Sequence, residues 1–128
     1  MDRSSIEEIV TLIKKYPQIQ LFMLFGSRAR GDVGVRSDWD FAYNAKGSFD
    51  QLALLTELTL LLKTDNVDLV NLSKASGLLR FRAAKDGTVL YQKDGEYEKF
   101  WLQAALFWCD AGPIIRAEYD ALLRRLAS

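Results

Sequence analysis

The chain has 128 residues, 49% of them hydrophobic and 27% charged, which fits one packed domain and excludes both a large multidomain enzyme and a disordered segment. Lysine plus arginine number 17, as do aspartate plus glutamate, and each half of the chain balances separately, so there is no basic field to hold a long nucleic acid. With one cysteine, Cys109, and no histidine, an internal disulfide, the usual zinc sets and Ser-His-Asp or Cys-His catalysis are excluded, and any metal must take oxygen ligands.

The first residues, MDRSSIEEIV, are partly acidic and lack an apolar core of signal-peptide length, and the longest apolar runs are too short to span a bilayer. A cytoplasmic protein without membrane association is expected. Ser4 to Lys15 reads as an amphipathic helix with a serine cap, Glu7 and Glu8 in its first turn, Lys14 and Lys15 in its last, and a stripe of Ile6, Ile9, Val10 and Ile13. Ile19 to Phe25 is an apolar run between Pro17 and Gly26, the length of a buried strand. A polar loop, GSRARGDVGVRS, leads to a second strand from Trp39 to Tyr43, with bulky aromatics on one face and carboxylates on the other.

Phe49 to Lys63 predicts a helix burying Leu52, Leu55, Leu58, Leu61 and Leu62, and Val67 to Leu72 a third strand. Ser76 to Asp86 reads as a helix with Leu78, Leu79 and Phe81 inward, and Gly87 to Tyr91 as a short fourth strand. A last helical stretch begins near Gly95 and breaks at Gly112-Pro113, where the proline suits the first turn of a new helix. The order implies an α/β (α+β) domain: a small mixed sheet packed with helices, plus a C-terminal helical extension.

The chemistry concentrates at Gly26-Ser27 and, after ten residues, Asp38-Trp39-Asp40. Alternation along a strand puts Asp38 and Asp40 on one face and Trp39 on the other. Two adjacent carboxylates repel unless solvated or bridged by cations, and such oxygen-rich pairs favour Mg²⁺ shared with substrate phosphates. Asp68, inside Val67-Asp68-Leu69-Val70, would be a costly charge in an apolar strand unless a neighbouring strand brought it to the same metals; pairing with Arg80 or Arg82 is the structural alternative. Gly26 allows close backbone approach, and Ser27 offers a hydroxyl and an N–H to a phosphate.

On these residues the chain resembles a known family. Gly26-Ser27 and Asp38-x-Asp40 match the GSx10DxD signature of the DNA polymerase β-like nucleotidyltransferase superfamily, and GSRARGDVGVRSDWDF looks like its minimal MNT branch. The likeness continues through VDLV at 67–70 to GTVLYQKD and covers about residues 5–94, implying a nucleotidyltransferase core over 1–94; the less diagnostic helices over 95–128 pack on the core, with docking on a partner as the alternative for part of their surface. The resemblance implies that Asp38, Asp40 and Asp68 hold two Mg²⁺ ions, with Asp68 also placed to take the nucleophile's proton. By the same likeness Gly26 and Ser27 grip the phosphates of ATP, Ser37 adds a contact, and Arg28, ahead of Arg30, is the candidate partner of the triphosphate, the alternative being that one of the two is solvated or paired with Asp32. Trp39 stands where the family more often has an aliphatic residue, and reads as a core packer on the reverse face.

Minimal MNT proteins of this size resemble the antitoxins of HEPN–MNT pairs, which transfer AMP from ATP to a tyrosine of the HEPN ribonuclease. A Mg²⁺-dependent protein adenylyltransferase with a HEPN partner is therefore the expected function. An antitoxin that acts by occlusion is the alternative, and a small-molecule transferase of the aminoglycoside type a weaker one, since the chain offers no substantial second domain for an acceptor pocket. Phe100, Trp101, Ala104, Phe107 and Trp108 form one broad stripe in the tail, with Leu102 and Leu106 to its side, which is either core or a docking surface. Exposure of Trp101 and Trp108 decides between these.

Overall fold

Ile19–Phe25, a seven-residue strand without a charge, forms β1 and lies inside the sheet with both faces covered, which is why its apolar residues do not alternate with polar ones. The computed structural model describes residues 3–25, 39–110, 117, 120–122 and 124–125. The remaining described elements are α1 (Arg3–Ile13), β2 (Trp39–Ala45), α2 (Gln51–Leu62), β3 (Val67–Asn71), a 3₁₀ turn (Leu72–Lys74), α3 (Gly77–Asp86), β4 (Thr88–Gln92) and α4 (Glu96–Asp110). The strands order as β3-β2-β1-β4, with β1 antiparallel to β2 and to β4, and β2 parallel to β3 across the α2 crossover. This is the expected mixed sheet.

Two cores sandwich that sheet. On one face Phe22, Leu24, Trp39, Phe41 and Tyr43 meet Ile9, Leu12 and Ile13 of α1 and Leu54 and Leu58 of α2. Phe41 stacks between Phe22 at 5.1 Å and Trp39 at 5.8 Å. Trp39 therefore packs in the core as expected. On the other face Leu21, Met23 and Ala42 meet Ala83 and Ala84 of α3 and Phe100 and Ala104 of α4, where alanines let the helices approach closely. Gly77 serves the same contact, since a Cβ there would strike the Phe107 ring.

Several boundaries and faces differ from the sequence reading. β2 extends to Ala45 because Ile19 pairs with it. Helix α1 begins at Arg3, so Ser4 sits inside it and Glu7 and Glu8 fall beyond its first turn; it ends at Ile13, and Lys15 and Tyr16 close onto Leu12 and Ile13 by tighter i to i−3 bonds. Its buried residues are Ile9, Leu12 and Ile13, with Ile6 and Val10 only half-buried. Asp50 does not enter α2 but caps it, accepting the Ala53 N–H at 3.0 Å, while Lys63 closes it at φ 57°.

Leu52, expected inside, is 72% exposed, and Leu54 takes the buried place. A helix apolar on all sides gives no periodic signal to choose its inner face, so the sheet decides. In α3, capped by Ser76 through Leu79 N–H at 3.1 Å, the fully buried residues are Ala83 and Ala84, and Leu78, Leu79 and Phe81 are half-buried. The loop over 26–38 and the Gly112-Pro113 break lie outside the described residues, and no described helix is long and apolar enough to cross a membrane.

Candidate active site

The parallel pairing of β2 with β3 puts Asp40 directly opposite Asp68, in a register running Trp39–Val67, Asp40–Asp68, Phe41–Leu69. Neighbouring strands lie roughly 4.8 Å apart, and residues opposite each other share a face, so the two carboxylates stand side by side. They occupy the face of Ala42 and Val70, the side covered by α3 and α4, while Trp39 and Phe41 point the other way. On β1, Phe25 is the Cα partner of Asp40 and joins the same apolar cluster as Ala42, so one row across three strands reads Phe25, Asp40, Asp68. Phe25 thus stands beside Asp40 in that row. Its role was legible only through register, as the last apolar residue before Gly26.

Asp40 is half-buried and Asp68 exposed. That exposure corrects the sequence argument, which placed Asp68 as a charge in an apolar strand. β3 is an edge strand, and Asp68 meets water without a burial cost. Nor does it pair with Arg80 or Arg82: Arg80 donates to Gln103 Oε1 at 3.1 Å and lies over the Phe100 ring at 5.8 Å. Among the described residues Asp68 has no hydrogen-bond or ion-pair partner.

Two adjacent carboxylates of this kind are an all-oxygen donor set whose mutual repulsion is relieved by solvent or by a bridging cation, which fits a hard divalent ion such as Mg²⁺. Among the described residues no group of three or more acidic, cysteine or histidine side chains forms a metal cluster. The expected third carboxylate, Asp38, lies outside those residues together with Gly26, Ser27, Arg28, Arg30 and Ser37. The chain enters and leaves that segment at Phe25 and Trp39, at the same edge of the sheet as the carboxylate pair.

On the same side of the sheet, α4 buries Phe100 and Ala104 but leaves Trp101 50%, Leu102 55%, Leu106 53% and Phe107 37% exposed. Trp108 is half-buried and stacks on Phe81 at 4.4 Å. The stripe therefore divides into a core edge and an open apolar edge without a charged side chain between Lys99 and Asp110.

Comparison with known proteins places these features in a family. The polymerase beta nucleotidyltransferase model matches residues 7–96. The chain is 36% identical to the protein adenylyltransferase MntA of Aphanizomenon flos-aquae (strain 2012/KM1/D3), over 70% of this chain and 68% of that relative. Among solved structures it is similar to a toxin–antitoxin with AMP-PNP, at a TM-score of 0.71 and 26% identity over 100% of both chains. It is also similar, at 0.70 and 26% identity over 100% of both chains, to a chain from the complex of tri-AMPylated Shewanella oneidensis HEPN toxin with MNT antitoxin.

Proposed function

The chain belongs to the polymerase beta nucleotidyltransferase family, and from that premise we propose that it is an antitoxin that works as a Mg²⁺-dependent protein adenylyltransferase, moving AMP from ATP to a tyrosine of a HEPN ribonuclease toxin. The observation that carries this reading is the register pairing of Asp40 with Asp68, two carboxylates on adjacent strands at the edge where the Gly26-Ser27 segment departs. The relatives add the acceptor: one is named a protein adenylyltransferase, and another structure contains an AMPylated HEPN toxin. The chain spans 68% of the former's length.

In this reading Asp38, Asp40 and Asp68 hold Mg²⁺, which neutralises triphosphate charge and acidifies the incoming hydroxyl when bound. Gly26 and Ser27 grip the phosphates through backbone N–H and hydroxyl donors, with Arg28 and Ser37 as further contacts. Asp68, exposed and outermost, takes the tyrosine proton, either directly or through water. The tyrosine oxygen forms the new bond to the α-phosphorus in line with the breaking bond to the β-phosphate, and pyrophosphate leaves. Residues 1–94 would supply this core. The 95–128 helices would supply the docking surface, since the open edge of α4 lies on the side of the sheet that carries the carboxylates. A cytoplasmic location completes the reading.

Intact-mass measurement of a HEPN toxin, incubated with this chain, ATP and Mg²⁺, tests it. A gain in whole AMP units that disappears with Asp40→Ala/Asp68→Ala is expected. A stable complex with no mass gain would leave occlusion, which the open α4 edge also favours, as the mode of neutralisation.

A further inference from the structure

We propose that the chain carries a second ligand site, a small phosphate-binding pocket outside the carboxyl ends of β2 and β3, built from Tyr43, Ser48, Gln51, Asn71 and Lys74. A cavity of about 260 Å³ opens there. It is separate from the carboxylate pair: Tyr43 and Asn71 are opposite each other three residues beyond Asp40 and Asp68, roughly 10 Å along the strands at 3.3 Å per residue. They also lie on the other face, with Trp39 and Phe41.

The lining is rich in donors. Tyr43 is only 3% exposed and its ring is held edge-on by Phe49 at 5.2 Å, yet among the described residues its hydroxyl has no hydrogen-bond partner. The ring is buried but the hydroxyl is not sealed off: it opens on the cavity, where a ligand or solvent can accept from it. A phenol is protonated at neutral pH, and burial raises the Tyr43 pKa further above its ordinary 10.0. Asn71 Oδ1 accepts from Ser73 N–H at 3.0 Å and from Ser73 Oγ–H at 2.7 Å, which leaves its amide –NH₂ as the free end. Gln51 Nε2 makes only a long contact of 3.5 Å to the Leu69 carbonyl.

Lys74 supplies a positive charge to the lining, and no carboxylate lines the cavity. The nearby Asp50 is committed to the Ala53 N–H as the α2 cap. Amide, hydroxyl and ammonium donors around a carboxylate-free cavity recognise an oxyanion. The space outside the carboxyl ends of parallel strands is also where open α/β sheets receive ligands. A volume below the roughly 300–1,000 Å³ of drug-sized sites limits the occupant to a phosphate with a small substituent.

Titration of the full ¹⁵N-labelled chain with inorganic phosphate, without magnesium, tests the proposal. Saturable amide shifts at 47–51 and 71–74 are expected, with binding weakened about 10-fold or more in Tyr43→Phe and in Lys74→Ala. Tyr43→Phe keeps the ring, Lys74 is exposed, and the same spectra report whether each variant is folded. Shifts confined to the Phe25, Asp40 and Asp68 edge, wild-type affinity in both variants, or no saturable shift would each overturn it.

Discussion

The two faces of the sheet are built from different material. Toward α1 and α2 the strands present Phe22, Trp39, Phe41 and Tyr43, a stacked aromatic layer without a charge. Toward α3 and α4 they present Leu21, Met23, Ala42 and Val70, and in the same row series Asp40 and Asp68. The aromatic face bears the stability, because large rings remove the most apolar area from water and fill space at crystal-like density. The opposite face packs against the alanines of α3 and α4 together with Phe100, and at one end it presents the half-buried Asp40 beside the exposed Asp68. A single alternating strand, β2, serves both purposes because its side chains take turns.

That division can be broken from either side. The largest effect is expected on the open face: Asp40→Asn should lower adenylyl transfer by about 10³-fold or more while leaving thermal stability near wild type, since an uncharged amide oxygen ligates a divalent cation far more weakly than a carboxylate. Intact-mass time courses and a melting curve check both halves. On the aromatic face the outcome reverses, and Phe41→Ala should cost about 3–5 kcal/mol in urea unfolding, because a fully buried ring in contact with two others leaves a cavity. Any of that protein still folded should transfer AMP.

A third substitution sharpens the contrast within α4. Trp101→Ala removes a half-exposed ring and should change stability by less than about 1 kcal/mol while weakening the toxin complex by about 2 kcal/mol, measured by calorimetry. Unchanged affinity would remove α4 from the interface.

The smallest effect belongs to the seam between α1 and α2, where the Tyr16 hydroxyl donates to Glu57 Oε2 at 2.6 Å. Burial first, then that hydrogen bond and the charges of Glu57 and Asp50, push Tyr16 from 10.0 to about 12. The folded chain therefore keeps a proton that the unfolded chain releases near pH 10. The stabilisation is complete below pH 10 and is lost as the pH rises toward 12. Tyr16→Phe should cost about 1 kcal/mol at neutral pH and flatten the fall in stability between pH 10 and 12, read from urea midpoints across that range.

How much could be read in advance varied with the strength of the local pattern. β1 was legible to the residue because Pro17 and Gly26 bracket an uninterrupted apolar run. The spacing from Gly26-Ser27 singled out Asp40 and VDLV singled out Asp68, and the fold sets the two opposite each other, but Asp68 is not a costly charge in a buried strand. Edge position and exposure follow from strand order, which no local window contains. The inner face of α2 was illegible for the opposite reason: too many leucines satisfy a helical period, and Leu52 and Leu54 exchange roles once the sheet picks a side. Tyr43 offered no signal of its own, because one aromatic in an aromatic strand looks like core until a cavity opens beside its hydroxyl.

The sequence by itself determined the order of the described elements, the mixed α/β class and the nucleotidyltransferase signature. Those properties depend on periodicity, breakers and short-range spacing, all carried by neighbouring residues. Only the tertiary structure decided that Asp40 stands opposite Asp68, that β3 is an edge, and that α4 buries Phe100 while leaving Trp101 open. Register and burial are properties of pairs of elements distant in the chain. They are settled by which apolar faces can be covered at once, a competition the whole domain resolves together.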